Sequence, residues 1–409
     1  MKFLLIYPKW EKLDRQTRFT LPPHGPVVMA ATLPPDVEVQ FIDENVEPVD
    51  FDAAADVVGI SMMLTAQIKR GWEIADTFRA RGLKVICGGI ATMLHAEECE
   101  QHADAVFMGE AEGRMEQILA DFKAGKLQKV YNVMDDQPPI ESVGTARRGI
   151  LKRDMYNYRG VQMVDLVHAS RGCRFNCYPC AVRFLGGRKF RPRPYDKVIE
   201  ELASIDNNRL FIVDNSLAQD KDWEMGLFKE MIPLKKKWCS HPIEDDDQVL
   251  DLAAQAGAWF VYQAIFDSSN HIRDRVKRYH DYGIGVEGSI LLGLDYHTED
   301  YIKRWMDFLL EIELDMAEFT VLTPFPHTRT YDDLNNAGRI FSRDWNDYTC
   351  GKVVFQPKMM TPEKLQEMYY YCWDRFYEEE PANYKMFKML KRVMDKEKAD
   401  GTFKPRVRG

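Results

Sequence analysis

Three cysteines in one short segment, Ser170-Arg-Gly-Cys173-Arg-Phe-Asn-Cys177-Tyr-Pro-Cys180, are the strongest local signal in the chain. Three thiolates can hold three irons of a cubane iron–sulfur cluster and leave the fourth iron open to a substrate or cofactor. A structural zinc site wants four ligands, and only His168 lies close enough to serve as a fourth. Zinc and a set of unligated buried thiols are the alternatives. Glu287 is the second candidate, because it interrupts an apolar strand between Val286 and Gly288. A carboxylate there is costly unless it is paired or used, so a catalytic role is expected. Asp214 and Asn215 close another apolar run and read either as ligand contacts or as a helix cap. Gln263, also within a strand, needs a polar partner. Cys87, Cys99, Cys239, Cys350 and Cys372 are isolated and read as small buried hydrophobes. The aromatic run Tyr369–Tyr377 reads as packing.

Two sets of elements must position these residues. In the first 115 residues, Lys2–Tyr7, Val37–Ile42, Val57–Ser61, Lys84–Cys87 and Ala105–Met108 are short apolar strands, as expected when both faces are buried. Helical spacing of Ile68, Trp72, Ala75 and Phe78 separates the third from the fourth. This is the pattern of a doubly wound parallel sheet, whose ligands sit outside the carboxyl ends of the strands. Those ends carry Ser61, Met62, Met63 and Thr65, then Gly88 and Gly89, then Gly109 and Glu110. The glycines are expected to let a ligand approach the backbone closely. A second alternation follows in Asp165–Ala169, Leu210–Asp214, Lys236–Ser240, Trp259–Ile265, Gly285–Leu292 and Ala317–Thr323. Six strand–helix units predict a barrel with its chemistry at the carboxyl ends.

The predicted class is α/β. A Rossmann-like domain occupies residues 1–135 and a linker 136–164. A partial (β/α)6 TIM-type barrel occupies 165–345, and a helical extension 346–409. The net charge of −9 argues against a nucleic-acid partner. The cluster Lys235–Lys237 reads as solvated surface. No apolar run is long enough for a membrane span or signal core, so a reducing cytoplasmic setting is expected. There the eight cysteines do not form a disulfide framework.

The CxxxCxxC spacing resembles the radical S-adenosylmethionine superfamily, with Tyr178 and Pro179 where an aromatic residue usually stands just before the third cysteine. The stretches Pro22-Pro-His-Gly25, Val58-Gly-Ile-Ser61, Trp72–Asp76, Val85-Ile-Cys-Gly-Gly89 and Ala105–Glu110 resemble the cobalamin-binding domain of one large subfamily. Gly283–Gly288 and Thr323-Pro-Phe-Pro326 resemble its barrel. The resemblance implies a 4Fe-4S cluster on Cys173, Cys177 and Cys180, S-adenosylmethionine on its open iron, and cobalamin on the first domain. It implies that Ser61, Met62, Met63, Thr65, Gly88, Gly89, Gly109 and Glu110 face cobalamin. Tyr178, Asp214, Asn215, Gln263 and Glu287 would face S-adenosylmethionine. The Asp-x-His-x-x-Gly signature is absent, so cobalamin is expected to bind without a protein histidine on cobalt.

The implied reaction is radical methylation of an unactivated carbon through a 5′-deoxyadenosyl radical and methylcobalamin. The electron donor would be flavodoxin or ferredoxin. A cobalamin-containing cyclase and a non-catalytic cobalamin or redox sensor are the other readings. The substrate stays open among a small metabolite, a tetrapyrrole, a lipid and a peptide side chain.

Overall fold

The protein is described here from a computed structural model covering residues 1–11, 15, 20–158 and 160–404. The first sheet contains β1 (Lys2–Tyr7), β2 (Glu38–Asp43), β3 (Val57–Ser61), β4 (Lys84–Gly88), β5 (Ala105–Met108) and β6 (Val130–Asn132), in spatial order β2-β1-β3-β4-β5-β6. All neighbours are parallel. The order reverses at β1, which is why β1 to β5 are apolar along most of their length: helices cover both faces. The helix Ile68–Ala80 shows how one face is covered. It buries Ile68, Ile74, Ala75 and Phe78 while charged residues occupy its other side. Phe78 is fully buried, so Phe78→Ala would cost about 3–5 kcal/mol.

A hairpin of β7 (Asn157–Tyr158) and β8 (Val161–Gln162) leads into the second sheet. Its first strand, β9 (Asp165–Val167), runs on to β10 (Ser170–Arg171), which pairs with β11 (Arg191–Pro192) across the cysteine loop. The other strands are β12 (Arg209–Ile212), β13 (Lys237–Ser240), β14 (Ala258–Ile265), β15 (Gly285–Leu292) and β16 (Met316–Val321). Their order, β16-β15-β14-β13-β12-β9, is sequential and parallel, and β9 does not pair with β16. This is the open six-stranded barrel the alternation predicts. Helices Pro362–Phe376 and Ala382–Ala399 form the helical tail.

Side-chain caps start several helices where the sequence offers Asp, Ser or Thr. Asp220, Ser269, Thr298, Thr328 and Thr361 each accept from the backbone N–H three residues on. Asp214 caps nothing. The solvated-surface reading holds for Lys235, which is exposed, and fails for its neighbours: Lys237 is buried and ion-paired with Asp400, and Lys236 donates to Asn207 O at 3.1 Å. Asp400 follows the last helix and stands 163 residues from Lys237 in the chain, a contact that a local charge count cannot see.

Among the described residues no helix is long and apolar enough to cross a membrane.

Candidate functional site

The carboxyl ends of both sheets open onto one cavity of about 910 Å³. That is near the upper end of the range for small-molecule and cofactor sites. Ser61, Met62, Met63, Gly88, Gly89, Gly109 and Glu110 line it from the first sheet. Ser170, Gly172, Asp214, Asn215 and Glu287 line it from the barrel. The fold thus brings to one space residues of the two sheets that stand up to 226 positions apart in the chain, Ser61 and Glu287.

At Gly89 and Gly109 the chain itself requires glycine. Gly89 has φ +97°, and a Cβ there would stand 2.4 Å from Met62 O. Gly109 has φ +117°, and its Cβ would meet Val133 Cγ2 at 2.8 Å. Both are required by the chain's own backbone. Gly88 meets nothing closer than 3.8 Å.

The two sheets are clamped beside this cavity. Arg171 reaches Glu110 and Glu112 at 2.6 Å each, and Arg191 also pairs with Glu110. Glu110 thus lines the cavity with its carboxylate already committed to two guanidinium groups. Asp214 is similarly engaged: its carboxylate accepts from Ala169 N at 2.7 Å and from Ser170 Oγ. It ties the end of β12 to the segment that enters the cysteine loop. Burial raises its pKa to about 6, although those hydrogen bonds work to lower it.

Cys173 is buried, whereas Cys177 and Cys180 are exposed. Cys177 and Cys180 line a smaller cavity of about 330 Å³ with Tyr178, Phe184, Arg188 and His327. Partial desolvation raises the Cys180 thiol, and the neighbouring Cys177 and Cys173 sulfurs add to the shift. The three thiols are close enough to feel one another, and their number and type fit a cluster that keeps one iron open. Among the described residues no three metal-ligating side chains are drawn together to ion-binding distance.

Other expected residues lie elsewhere. Thr65 is buried beneath the first sheet's end, with Oγ1 3.2 Å from His95 Nε2. Gln263 is buried outside the cavity lining, and its Oε1 has no partner among the described residues. Alternation explains this: Tyr262, one residue earlier on β14, lines the cavity instead. Thr323–Pro326 is absent from the lining, and Phe325 packs toward Tyr348.

Two features escaped the sequence reading. Glu318 lines the cavity beside Glu287. Burial raises the Glu287 carboxyl well above the usual carboxylate range, and the Glu318 charge adds to it. The period-two pattern of β16 could have found Glu318, since it is the one charged residue in that strand. The second feature is a contact between His24 and His168 in the cavity wall.

Comparisons with known proteins agree with this architecture. Residues 14–119 match the B12 binding domain family. The chain is 25% identical over 393 residues to bacteriochlorophyllide d C-12(1)-methyltransferase of Chlorobaculum tepidum, covering 90% of this chain and 85% of that protein. It is 25% identical over 371 residues to the C-8(2)-methyltransferase of the same organism, covering 83% and 82%. Among solved structures it resembles the radical S-adenosylmethionine methyltransferase TsrM of Kitasatospora setae. That match has a TM-score of 0.66 at 15% identity, over 90% of this chain and 83% of the other. The resemblance to cobalamin-binding radical S-adenosylmethionine proteins is borne out across both halves of the chain.

Proposed function

We propose that this chain is a cobalamin-dependent radical S-adenosylmethionine methyltransferase acting on an unactivated carbon. The observation that carries the reading is the cavity shared by both sets of strand ends, lined also by Gly172 and Val182, which flank the three-cysteine loop. A carbon with neither acidity nor a lone pair cannot attack a sulfonium, so methylating it calls for a radical route. When bound, the cofactors supply the electron, the radical and the methyl group, and the protein supplies position and exclusion.

Cys173, Cys177 and Cys180 would hold the cluster. Ser61, Met63, Gly88, Gly89 and Gly109 would form the wall against cobalamin, with the Met62 side chain buried behind it against Gly71. Asp214 and Asn215 would orient S-adenosylmethionine beside the cysteine loop, from which Asn215 Nδ2 reaches Gly172 O at 3.5 Å. Tyr178, Thr65 and Gln263 fit such roles less well, since none lines the large cavity.

Deeper in the barrel, Phe211, Trp259, Tyr262, Met316, Met386 and Met389 give an apolar wall that excludes water from the substrate. Within it burial and the neighbouring Glu318 push the Glu287 carboxyl toward its neutral form, which can donate a hydrogen bond or hold a proton at its carboxyl oxygen. That makes Glu287 the candidate catalytic residue. A substrate with an extended apolar body, as in a tetrapyrrole or lipid, suits these walls. A flavodoxin or ferredoxin in an anaerobic cytoplasm would be the electron source.

The test is anaerobic reconstitution with iron, sulfide and cobalamin, followed by mass spectrometry. Release of 5′-deoxyadenosine with S-adenosylhomocysteine and a product heavier by one methylene is expected. Replacing Cys173, Cys177 and Cys180 together with Ala should abolish both. Release of 5′-deoxyadenosine with no methyl gain would support a cyclase, and no release at all would leave a sensor.

A further inference from the structure

Between Asp165 and Asp196 the chain holds Arg171, Arg174, Arg183, Arg188, Lys189, Arg191 and Arg193, and no carboxylate. The whole chain carries a net charge of −9. So many cations in one segment of an acidic protein need partners, inside the molecule or outside it. Three have them inside. Arg171 and Arg191 hold Glu110, Arg171 also holds Glu112, and Arg193 holds Glu201. Arg174, Arg188 and Lys189 are exposed, and among the described residues no carboxylate is paired with them.

These three stand in and beside the cysteine loop, which has two sides. Gly172, Val182 and Leu185 line the large cavity, whereas Cys177, Tyr178, Cys180 and Arg188 line the smaller one. Arg329 lines the smaller cavity too, and its one ion pair, to Asp333 at 3.4 Å, is exposed and therefore weak. Among the cations, Phe175 is 37% exposed and Tyr178 is 50% exposed. The Arg174 guanidinium lies 5.4 Å from the Phe175 ring centroid. Aromatic side chains with arginines around them are the residues enriched at protein–protein contacts. A long polyanion would run from this patch onto the acidic remainder of the surface, whereas a compact acidic protein can cover the patch alone. No protein fits a cavity of about 910 Å³, so a protein meets this loop only from its outer side.

We propose that the outer face of the cysteine loop, with Arg174, Phe175, Tyr178, Arg188 and Lys189, is the docking surface for a small acidic electron-transfer protein. This rests on the cluster reading of Cys173, Cys177 and Cys180 above. One electron leaves the partner's reduced flavin or 2Fe–2S centre and enters the cluster, and no bond is made or broken in that step. The cations speed the encounter and fix its orientation, and the two aromatic rings make the close contact.

The experiment is stopped-flow mixing of the anaerobically reconstituted full chain with flavodoxin hydroquinone or reduced 2Fe–2S ferredoxin, both acidic. Flavin or ferredoxin absorbance reports the rate, and electron paramagnetic resonance reports the reduced cluster. The wild-type association rate should fall steeply with added salt. Reversing Arg174, Arg188 and Lys189 together to Glu should slow association about tenfold or more at low salt and remove the salt dependence. The same reversal at Lys197, Lys277 and Lys303, exposed elsewhere, should have a much smaller effect. With titanium(III) citrate as reductant, the patch variant should give the wild-type cluster signal. Wild-type transfer rates in the patch variant overturn the proposal, and so does equal slowing by the control reversal. A patch variant with no cluster signal under titanium(III) citrate also overturns it, because the cations then serve the loop itself. Stoichiometric binding of a short RNA at the patch, with no complex formed by either redox protein, would assign the surface to nucleic acid instead. A wild-type chain that assembles no cluster defeats the functional reading itself, and this inference with it.

Discussion

Glu201 and Glu287 are the same residue type, both inside the second domain, and the fold treats them in opposite ways. Glu201, on the helix Tyr195–Ser204, is 1% exposed and sits between Arg148 and Arg193. Burial works to raise its pKa, but the two guanidinium charges outweigh it and hold the carboxyl below its usual range. Glu287 faces the cavity with Glu318 as its charged neighbour, and among the described residues no cation is paired with it. Its carboxyl is pushed up. A buried carboxylate given cations is a structural part, because removing it strands two charges. A carboxyl left without one is unstable as an anion and available as an acid, which is the condition chemistry needs. Burial alone does not distinguish the two; the partners do.

The largest expected effect tests the available acid. Glu287→Gln should lower methyl transfer by about 10²–10⁴-fold, the range for removing a positioned proton donor or acceptor. It should leave thermal stability unchanged or slightly higher. Continued methyl transfer at the wild-type rate would remove Glu287 from the mechanism. Glu201→Gln should do the reverse, lowering stability by about 3–5 kcal/mol in urea unfolding through two uncompensated buried guanidinium groups. Cobalamin content measured below the transition should stay normal.

Glu224 sharpens the comparison through pH. It is buried, accepts weakly from Glu244 N at 3.3 Å, and burial raises its pKa to about 8. The folded state binds this proton more tightly than the unfolded chain. Its contribution is therefore fully present below about pH 4.5 and is lost as pH rises through about 8. Glu201 has the opposite sign, and its contribution fades on acidification. Urea midpoints from pH 5 to 9 should fall on the alkaline side, and Glu224→Gln should flatten that limb. An unchanged slope would mean Glu224 is ionised in the fold.

The smallest effect belongs to the half-buried clamp at the domain junction. Arg171→Met should cost about 1–3 kcal/mol, since Glu110 keeps Arg191 and some exposure while the buried Glu112 loses its charged donor. Limited proteolysis near residues 136–164 should quicken. If stability falls as far as in Glu201→Gln, the clamp is drier than its exposure indicates.

Much of this was legible along the chain. Strand positions followed from short apolar runs, because a strand buried on both faces cannot hide its composition. The cysteine loop was legible because its donors are local. Glu287 stood out by its cost in an apolar strand. Gln263 stood out for the same reason and was assigned wrongly, since composition does not say which side of a strand faces the cavity. Glu318 was missed, and the backbone angles of Gly89 and Gly109 give these glycines a local reason that composition does not show.

The sequence by itself determined the two parallel sheets, their ligand-bearing carboxyl ends and the three-thiol loop, because each depends on neighbours within a few residues. Only the tertiary structure decided which ends face each other, which carboxylates receive cations and which histidines meet. Those outcomes depend on pairs such as His24 with His168 and Glu201 with Arg148, held by contacts 144 and 53 residues apart in the chain. The charge state of a buried group is set by whatever the fold places against it, and residue type alone carries no record of that partner.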